Sequence, residues 1–275
     1  MSALKLSIPK VLLQKANMEE IKISLIQSDL VWENPAENMK KFEAKFSDLK
    51  GKTDIVLLPE MFTTGFSMNP RPIAETMKGN TVAWIKKQST ENNFAIGGSV
   101  IITENGKYFN RFVFAEPSGL IHYYDKHHLF SITGENNEYT PGNTRTIIKY
   151  KGFRFFLQIC YDLRFPVWMR NKNDYDVMLL VANWPERRND AWKKLLYARA
   201  MENQCYIAAV NRVGNDGKNI FHTGDSMILD YAGREMAVAK PNAEEILTCT
   251  FNLDLLKDSK EKFPAWKDAD DFEIK

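Results

Sequence analysis

The feature that most constrains this chain is a series of short, mostly apolar runs separated by segments of helical periodicity. Asp54–Leu58, Phe94–Ile102, Phe153–Ile159 and Val177–Val181 read as strands of a sheet covered on both faces. Ile21–Gln27 alternates with period two, the pattern of a half-buried strand. Between these, Asn34–Leu49 carries Met39, Phe42, Phe46 and Leu49 at three-to-four-residue spacing, which makes an amphipathic helix. Thr81–Glu91 and Trp192–Asn203 read as two more helices. Lys107–Glu116 and Leu120–Tyr124 flank Pro117-Ser118-Gly119 and predict an antiparallel hairpin. Thr146–Tyr150 is expected to pair with Phe153–Ile159, Tyr206–Val210 is another strand, and Ser226–Leu229 with Ile246–Phe251 suggests a closing antiparallel pair. No repeat, low-complexity tract or linker divides the chain. One α/β domain is expected over residues 18–275, built as a four-layer α-β-β-α sandwich of two mixed sheets flanked by helices. Residues 1–17 read as a loosely attached extension.

Bulk properties exclude several classes. A net charge of +2 with scattered Lys and Arg offers little to nucleic acid or an anionic membrane. No apolar stretch approaches the roughly 20 residues of a membrane span. Three cysteines, at 160, 205 and 249, form neither a C-x-x-C pair nor a Cys/His cluster. A disulfide framework and a zinc site are therefore not expected, and a reducing, cytoplasmic setting fits best.

Three strands or hairpins end in an ionisable residue: Glu60 after Leu57-Leu58-Pro59, Lys126 after Tyr123-Tyr124-Asp125, and Cys160 after Leu157-Gln158-Ile159. Each has an ordinary structural explanation. A free cysteine usually packs as a small hydrophobe, a Glu after Pro is usually a solvated loop residue, and Lys126 beside Asp125 and His127-His128 could be a solvated polar cluster. Together, though, they make a complete chemical set. A thiol can attack a carbonyl or nitrile carbon, a carboxylate can shuttle protons, and an ammonium can stabilise the negative charge that develops. An adjacent Lys would also favour the thiolate of Cys160.

Leu58-Pro59-Glu60-Met61-Phe62, Asp125-Lys126-His127-His128-Leu129-Phe130 and Cys160-Tyr161-Asp162-Leu163-Arg164-Phe165-Pro166 resemble, in order, the three signature blocks of the nitrilase superfamily. These are carbon–nitrogen hydrolases with a Glu-Lys-Cys triad on an α-β-β-α sandwich. The resemblance implies Cys160 as nucleophile, Glu60 as general base and then acid, and Lys126 with the Tyr161 backbone N–H as oxyanion donors. It also implies a second carboxylate after the Lys block, with Glu135 as candidate and Glu138 second. Met61-Phe62-Thr63-Thr64-Gly65-Phe66-Ser67-Met68 and Ala182-Asn183-Trp184-Pro185 look most like the omega-amidase branch, which hydrolyses the terminal amide of 2-oxoglutaramate or 2-oxosuccinamate through a thioester. Such a substrate ends in a carboxylate. Arg164 is the first candidate to read it, with Arg187 and Arg188 weaker, and Phe66, Phe130 and Trp184 could form an apolar wall. A structural ion pair of Arg164 with Asp162 or another acid is the competing expectation.

The chain departs from the family pattern at Val167-Trp168, where many relatives carry an acidic residue after Arg-Phe-Pro. By analogy a homodimer acting on a small amide, without cofactor or metal, is expected. A remote alternative is a metal-dependent phosphoesterase using Asp29, Glu60, Asn183, Asp225 and His222 as ligands; it would leave Lys126 and Cys160 idle.

Overall fold

A computed structural model describes residues 19–274, so the expected extension at 1–17 lies outside the described residues. The first half of the chain runs β1 (Glu20–Gln27), α1 (Pro35–Phe46), β2 (Ile55–Leu57), α2 (Asn80–Asn92), β3 (Ala95–Glu104), β4 (Lys107–Ala115) and β5 (Ile121–Asp125). After a loop carrying the short helix α3 (Glu135–Glu138), the second half runs β6 (Ile147–Tyr150), β7 (Phe153–Ile159), α4 (Pro166–Met169), β8 (Val177–Ala182), α5 (Asn189–Asn203) and β9 (Tyr206–Asn211). A small hairpin, β10 (Val213–Asn215) and β11 (Phe221–Thr223), follows. The chain closes with β12 (Met227–Leu229), β13 (Glu235–Val238), β14 (Glu245–Asn252) and α6 (Leu253–Lys262).

Two six-stranded mixed sheets result, ordered β14-β1-β2-β3-β4-β5 and β13-β12-β9-β8-β7-β6. From β14 and from β6 inwards, both follow one pairing pattern: antiparallel, parallel, parallel, antiparallel, antiparallel. The duplication is topological; no sequence repeat accompanies it.

Alternation along each strand explains the layers. Ile55 and Leu57 of β2 join the core between the sheets, whereas Val56 joins Phe42, Phe46 and Ile85 beneath α1 and α2. The inter-sheet seam is aromatic: Phe114 stacks on Phe155 at 6.5 Å, and Tyr206 on Phe251 at 4.3 Å. On the far face of the second sheet, α5 buries Trp192, Leu196 and Ala200. The expected α-β-β-α sandwich is thus the observed one.

One expected pairing is wrong. Ser226–Leu229 does not pair with Ile246–Phe251: β12 lies between β9 and β13 in the second sheet, while β14 pairs with β1 in the first. Both segments are short and apolar, so either could fill a central or an edge position, and their periodicity carries no information about which sheet takes them. The C-terminal helix α6 was not read from the sequence either. Its start is nevertheless encoded at Asn252, whose side-chain oxygen accepts the Leu255 N–H at 3.0 Å.

Candidate active site

Three strand ends converge at one rim. Pro59-Glu60 leaves β2, Lys126 directly follows β5, and Cys160 opens the tight turn after β7. The first two come from one sheet and the third from the other, so the site straddles the sheet–sheet junction.

Lys126 is the centre of the cluster. Its ammonium lies 2.9 Å from Glu60 Oε1 and 3.0 and 2.9 Å from the two oxygens of Glu135, with all three side chains fully buried. Asn110, from the middle of β4, donates to Glu60 Oε1 at 2.8 Å and to Glu135 Oε1 at 3.2 Å. Glu60 Oε2 accepts the Asn183 N–H at 2.8 Å, and Glu135 Oε2 accepts the Phe130 N–H at 2.5 Å. Both carboxylates are therefore held in place from two sides. Glu138, the second candidate, is exposed and outside the cluster.

The electrostatics assign distinct states to these groups. Burial works against the Lys126 ammonium, but Glu135 and then Glu60 outweigh it, so Lys126 holds its proton above the ordinary lysine range. Glu135 is pushed upward, by burial first and by Glu60, against the pull of Lys126. The Cys160 thiol is pushed well above its usual range by burial first and Glu60 second; Lys126 only partly offsets this. Lys126 favours the thiolate as expected, but two unfavourable effects outweigh that one favourable charge. A permanently charged lysine cannot relay protons, and a resting thiol needs a base.

Two strained turns present the reactive groups. Cys160 and Met61, the residue after Glu60, both have φ of +44°, a left-handed conformation uncommon outside glycine. The Met61 N–H is taken by Ser99 Oγ at 2.7 Å. Ser99 follows Gly97 and Gly98 in the first half of β3. A Cβ on Gly97 would lie 2.7 Å from Leu57 and 2.9 Å from Phe112, so only glycine lets these strands pack. The turn at Cys160 is tied by Asp162, which was expected only as an ion-pair partner of Arg164. Its oxygens accept the Ile159 N–H at 3.1 Å, the Tyr124 hydroxyl at 2.8 Å and the His128 N–H at 3.0 Å. The His127 ring stacks on Trp168 at 3.8 Å and His128 on Phe165 at 3.6 Å. The Lys and Cys blocks are thereby locked together, and Trp168 is a buried part of that lock.

Above Cys160 lies a cleft lined by Phe66, Phe130, Tyr161, Trp184 and the arginines 164, 187 and 188. Phe66 sits 5.0 Å from Lys126 Nζ and Phe130 4.8 Å from Tyr161, so the expected wall residues are brought together. Arg164 makes no ion pair with Asp162; its guanidinium lies 4.8 Å over the Trp184 ring. Asn110, the turn-tying role of Asp162 and the Glu60-holding role of Asn183 were missed. Their only signal was a polar residue set in an apolar strand or turn.

Among the described residues, no three of His, Cys, Asp and Glu converge as metal ligands. Asp29 is paired with Arg212, and Asp225 with Lys193 and Asn189. No helix among them is long and apolar enough to cross a membrane.

Known proteins resemble this chain over nearly its whole length. The family model described as carbon-nitrogen hydrolase matches residues 22–261. The chain is 41% identical over 257 residues to omega-amidase YafV of Escherichia coli K12, covering 94% of this chain and 100% of that one. It is 34% identical over 251 residues to the 2-oxoglutaramate amidase of Bacillus subtilis, covering 90% and 96%. A solved CN-hydrolase superfamily protein from Xanthomonas campestris, with an arsenic adduct in its active site, superposes with a TM-score of 0.91 at 42% identity, covering 93% and 99%. Nit3 of Saccharomyces cerevisiae, a nitrilase-superfamily member, shares the fold with a TM-score of 0.81 at 22% identity, covering 89% and 94%.

Proposed function

The chain belongs to the carbon-nitrogen hydrolase family, and from that premise we propose that it is an omega-amidase acting on small ω-amido acids of the 2-oxoglutaramate and 2-oxosuccinamate type. The chain is an amidohydrolase of the nitrilase superfamily, acting on carbon–nitrogen bonds other than peptide bonds; the substrate and the residue roles are the proposal. The observation that carries the roles is the buried Lys126 ammonium at 2.9 Å from both Glu60 and Glu135, beneath a cleft that Cys160 also lines.

In the proposed reaction Cys160 Sγ bonds to the amide carbon while Glu60 takes the thiol proton. Lys126 and the Tyr161 N–H stabilise the oxyanion in a water-poor site, where a fixed charge acts most strongly. Glu60 then passes its proton to the amide nitrogen, the C–N bond breaks, and ammonia leaves a thioester on Cys160. Water adds to the thioester with Glu60 again as base, and the C–S bond breaks. The acid departs, and the thiol regains its proton from Glu60. Glu135 takes no proton in this cycle; it and Asn110 keep Lys126 and Glu60 aligned. Phe66, Phe130 and Trp184 would enclose the short carbon chain, and an arginine at the mouth would read its far carboxylate.

The protein is further proposed to act as a homodimer, by analogy with relatives, in a reducing cytoplasm, which suits three free cysteines. The test of substrate class is an ammonia-release panel with 2-oxoglutaramate, 2-oxosuccinamate, glutamine, an N-carbamoyl amino acid and an aliphatic nitrile. The two oxo acids should lead. Turnover of the nitrile at an equal or higher rate would overturn the substrate while leaving the triad standing.

A further inference from the structure

Asn110 and Lys126 reach the buried cluster from neighbouring strands, and the opposite face of those strands carries a buried ion pair that the proposed reaction does not use. Phe112 and Phe114 of β4 and Tyr124 of β5 belong to the core between the sheets, whereas Val113 belongs to the outer core beneath the helices. Arg111 stands opposite Asp125 in the antiparallel register of β4 and β5. The next step of that register sets Lys126 opposite Asn110, and the Lys126 N–H donates to the Asn110 carbonyl at 3.0 Å. Side chains alternate along a strand, so Asn110 and Lys126 take the inner face while Arg111 and Asp125 share the outer one.

On that outer face Arg111 is held as a fork. Its Nε and Nη2 donate to the two Asp125 oxygens at 2.7 and 2.9 Å, and Nη2 also reaches Glu104 at 3.0 Å. The guanidinium lies 4.2 Å over the Tyr123 ring and is only 2% exposed. Burial opposes its charge, but Asp125 and then Glu104 outweigh that and raise its pKa. A bidentate pair fixes direction as well as distance, which an ammonium cannot reproduce. The position needs such a clamp. β5 is the edge strand of its sheet, so its last residue has a ladder on one side only, where strands open most readily. Later chain packs against the same point: a Cβ on Gly142 would lie 2.2 Å from the Asp125 carbonyl oxygen, and the Gly142 N–H donates to the Lys126 carbonyl at 2.9 Å.

We propose that Arg111 is a positioning residue for Lys126: its fork to Asp125 fixes the two backbone sites from which Asn110 and Lys126 reach the carboxylates of Glu60 and Glu135. This rests on the role proposed for Lys126 and deepens it. Asn110 and Lys126 each donate to both carboxylates, so a shift between β4 and β5 disturbs four hydrogen bonds at once. Glu60 and Glu135 stand on other segments, after β2 and in α3, and would not follow. The distance from Lys126 to the Cys160 thiol would change with them.

The test compares wild-type protein with Arg111→Met, Arg111→Lys and Asp125→Asn. Arg154→Lys serves as control, because it weakens a similar fork, to Asp176, at the far end of β7 from Cys160. Each protein is followed for kcat and KM on 2-oxoglutaramate, for the rate of Cys160 alkylation by iodoacetamide at one pH, and for its thermal midpoint. For Arg111→Met, kcat should fall about 10–100-fold with KM near wild type, the range for a displaced reacting group. Alkylation should slow severalfold, because Lys126 favours the thiolate less from a shifted position. Arg111→Lys should recover part of both losses. Asp125→Asn, which keeps the side chain's shape, should show both losses and decides the matter if Arg111→Met does not fold. Arg154→Lys should lower the thermal midpoint and leave kcat and alkylation at wild-type values. Arg111 and Asp125 variants that lose thermal stability yet keep wild-type kcat and alkylation overturn the proposal and leave an ordinary structural ion pair. Alkylation needs no substrate, so the two readings fail separately. A wild-type protein that spares 2-oxoglutaramate, with alkylation still slowed in Arg111→Met and Asp125→Asn, would refute the omega-amidase reading and uphold the positioning.

Discussion

Cys160 and Met61 hold a backbone conformation that costs a non-glycine residue about 1–3 kcal/mol, and neither turn would persist without the hydrogen bonds that tie it. Ser99 carries one of them. Ser99→Ala leaves the Met61 N–H buried without an acceptor, which should destabilise the protein by about 1–3 kcal/mol. Denaturant unfolding measures this, and kinetics should show kcat falling more than KM rises, because Glu60 loses its alignment. Charge gives a sharper test. Glu60 raises the Cys160 pKa, whereas Lys126 lowers it. In Glu60→Gln the lysine acts alone, so iodoacetamide should alkylate Cys160 faster at neutral pH than in wild type. Hydrolysis by the same variant should fall about 10²–10⁴-fold, the usual contribution of a positioned base. Alkylation and catalysis moving in opposite directions would separate nucleophile ionisation from proton transfer; slower alkylation in the variant would refute the electrostatic reading. At this scale the clustering of Glu60, Lys126 and Cys160 was legible because each ends an apolar run and lies in a block that resembles a nitrilase-superfamily signature. Asn110, Asp162 and Asn183 were not legible. An isolated Asn or Asp in a turn or strand usually meets water or backbone, and only the fold shows which ones face a buried charge.

Among the elements, the β10–β11 hairpin carries its own titration. His222 has a folded pKa of about 4 against an ordinary 6.5, because burial and Arg212 disfavour the imidazolium. As pH falls from 6.5 towards 4, the unfolded chain binds a proton that the folded imidazole refuses, so stability is lost across that window. The full effect is on the order of 3 kcal/mol. Glu244, lowered to about 2 chiefly by hydrogen bonds from Lys45 and Ser28 that outweigh its burial, loses its contribution only below its ordinary 4.5. Denaturant unfolding from pH 7 to pH 4 should therefore show a decline that His222→Asn flattens. An unchanged slope in that variant would remove His222 as its cause. Strands and long helices were read closely from apolar periodicity, because covered sheets demand uninterrupted apolar runs and amphipathic helices demand a stripe. The partner of each terminal strand was not legible. Choosing a sheet for Met227–Leu229 depends on where the chain crosses the core, and three residues of alternation carry no record of that path.

For the molecule as a whole, the site exists only where two sheets meet. Glu60 and Lys126 belong to one sheet and Cys160 to the other, and the Phe114–Phe155 and Tyr206–Phe251 contacts bridge the same seam. The two sheets share one pairing pattern, yet they contribute different chemistry at the rim: carboxylate and ammonium from one, thiol from the other. The central claim is that this junction performs covalent amide hydrolysis through Cys160. The most direct measurement is acid-quenched mass spectrometry of the protein during turnover of 2-oxoglutaramate, with ammonia followed in parallel. The expected result is an acyl group on the peptide that holds Cys160, forming with an initial burst of ammonia, and neither signal in Cys160→Ala. Ammonia release by Cys160→Ala at the wild-type rate, or turnover with the acyl group on another residue, would contradict it.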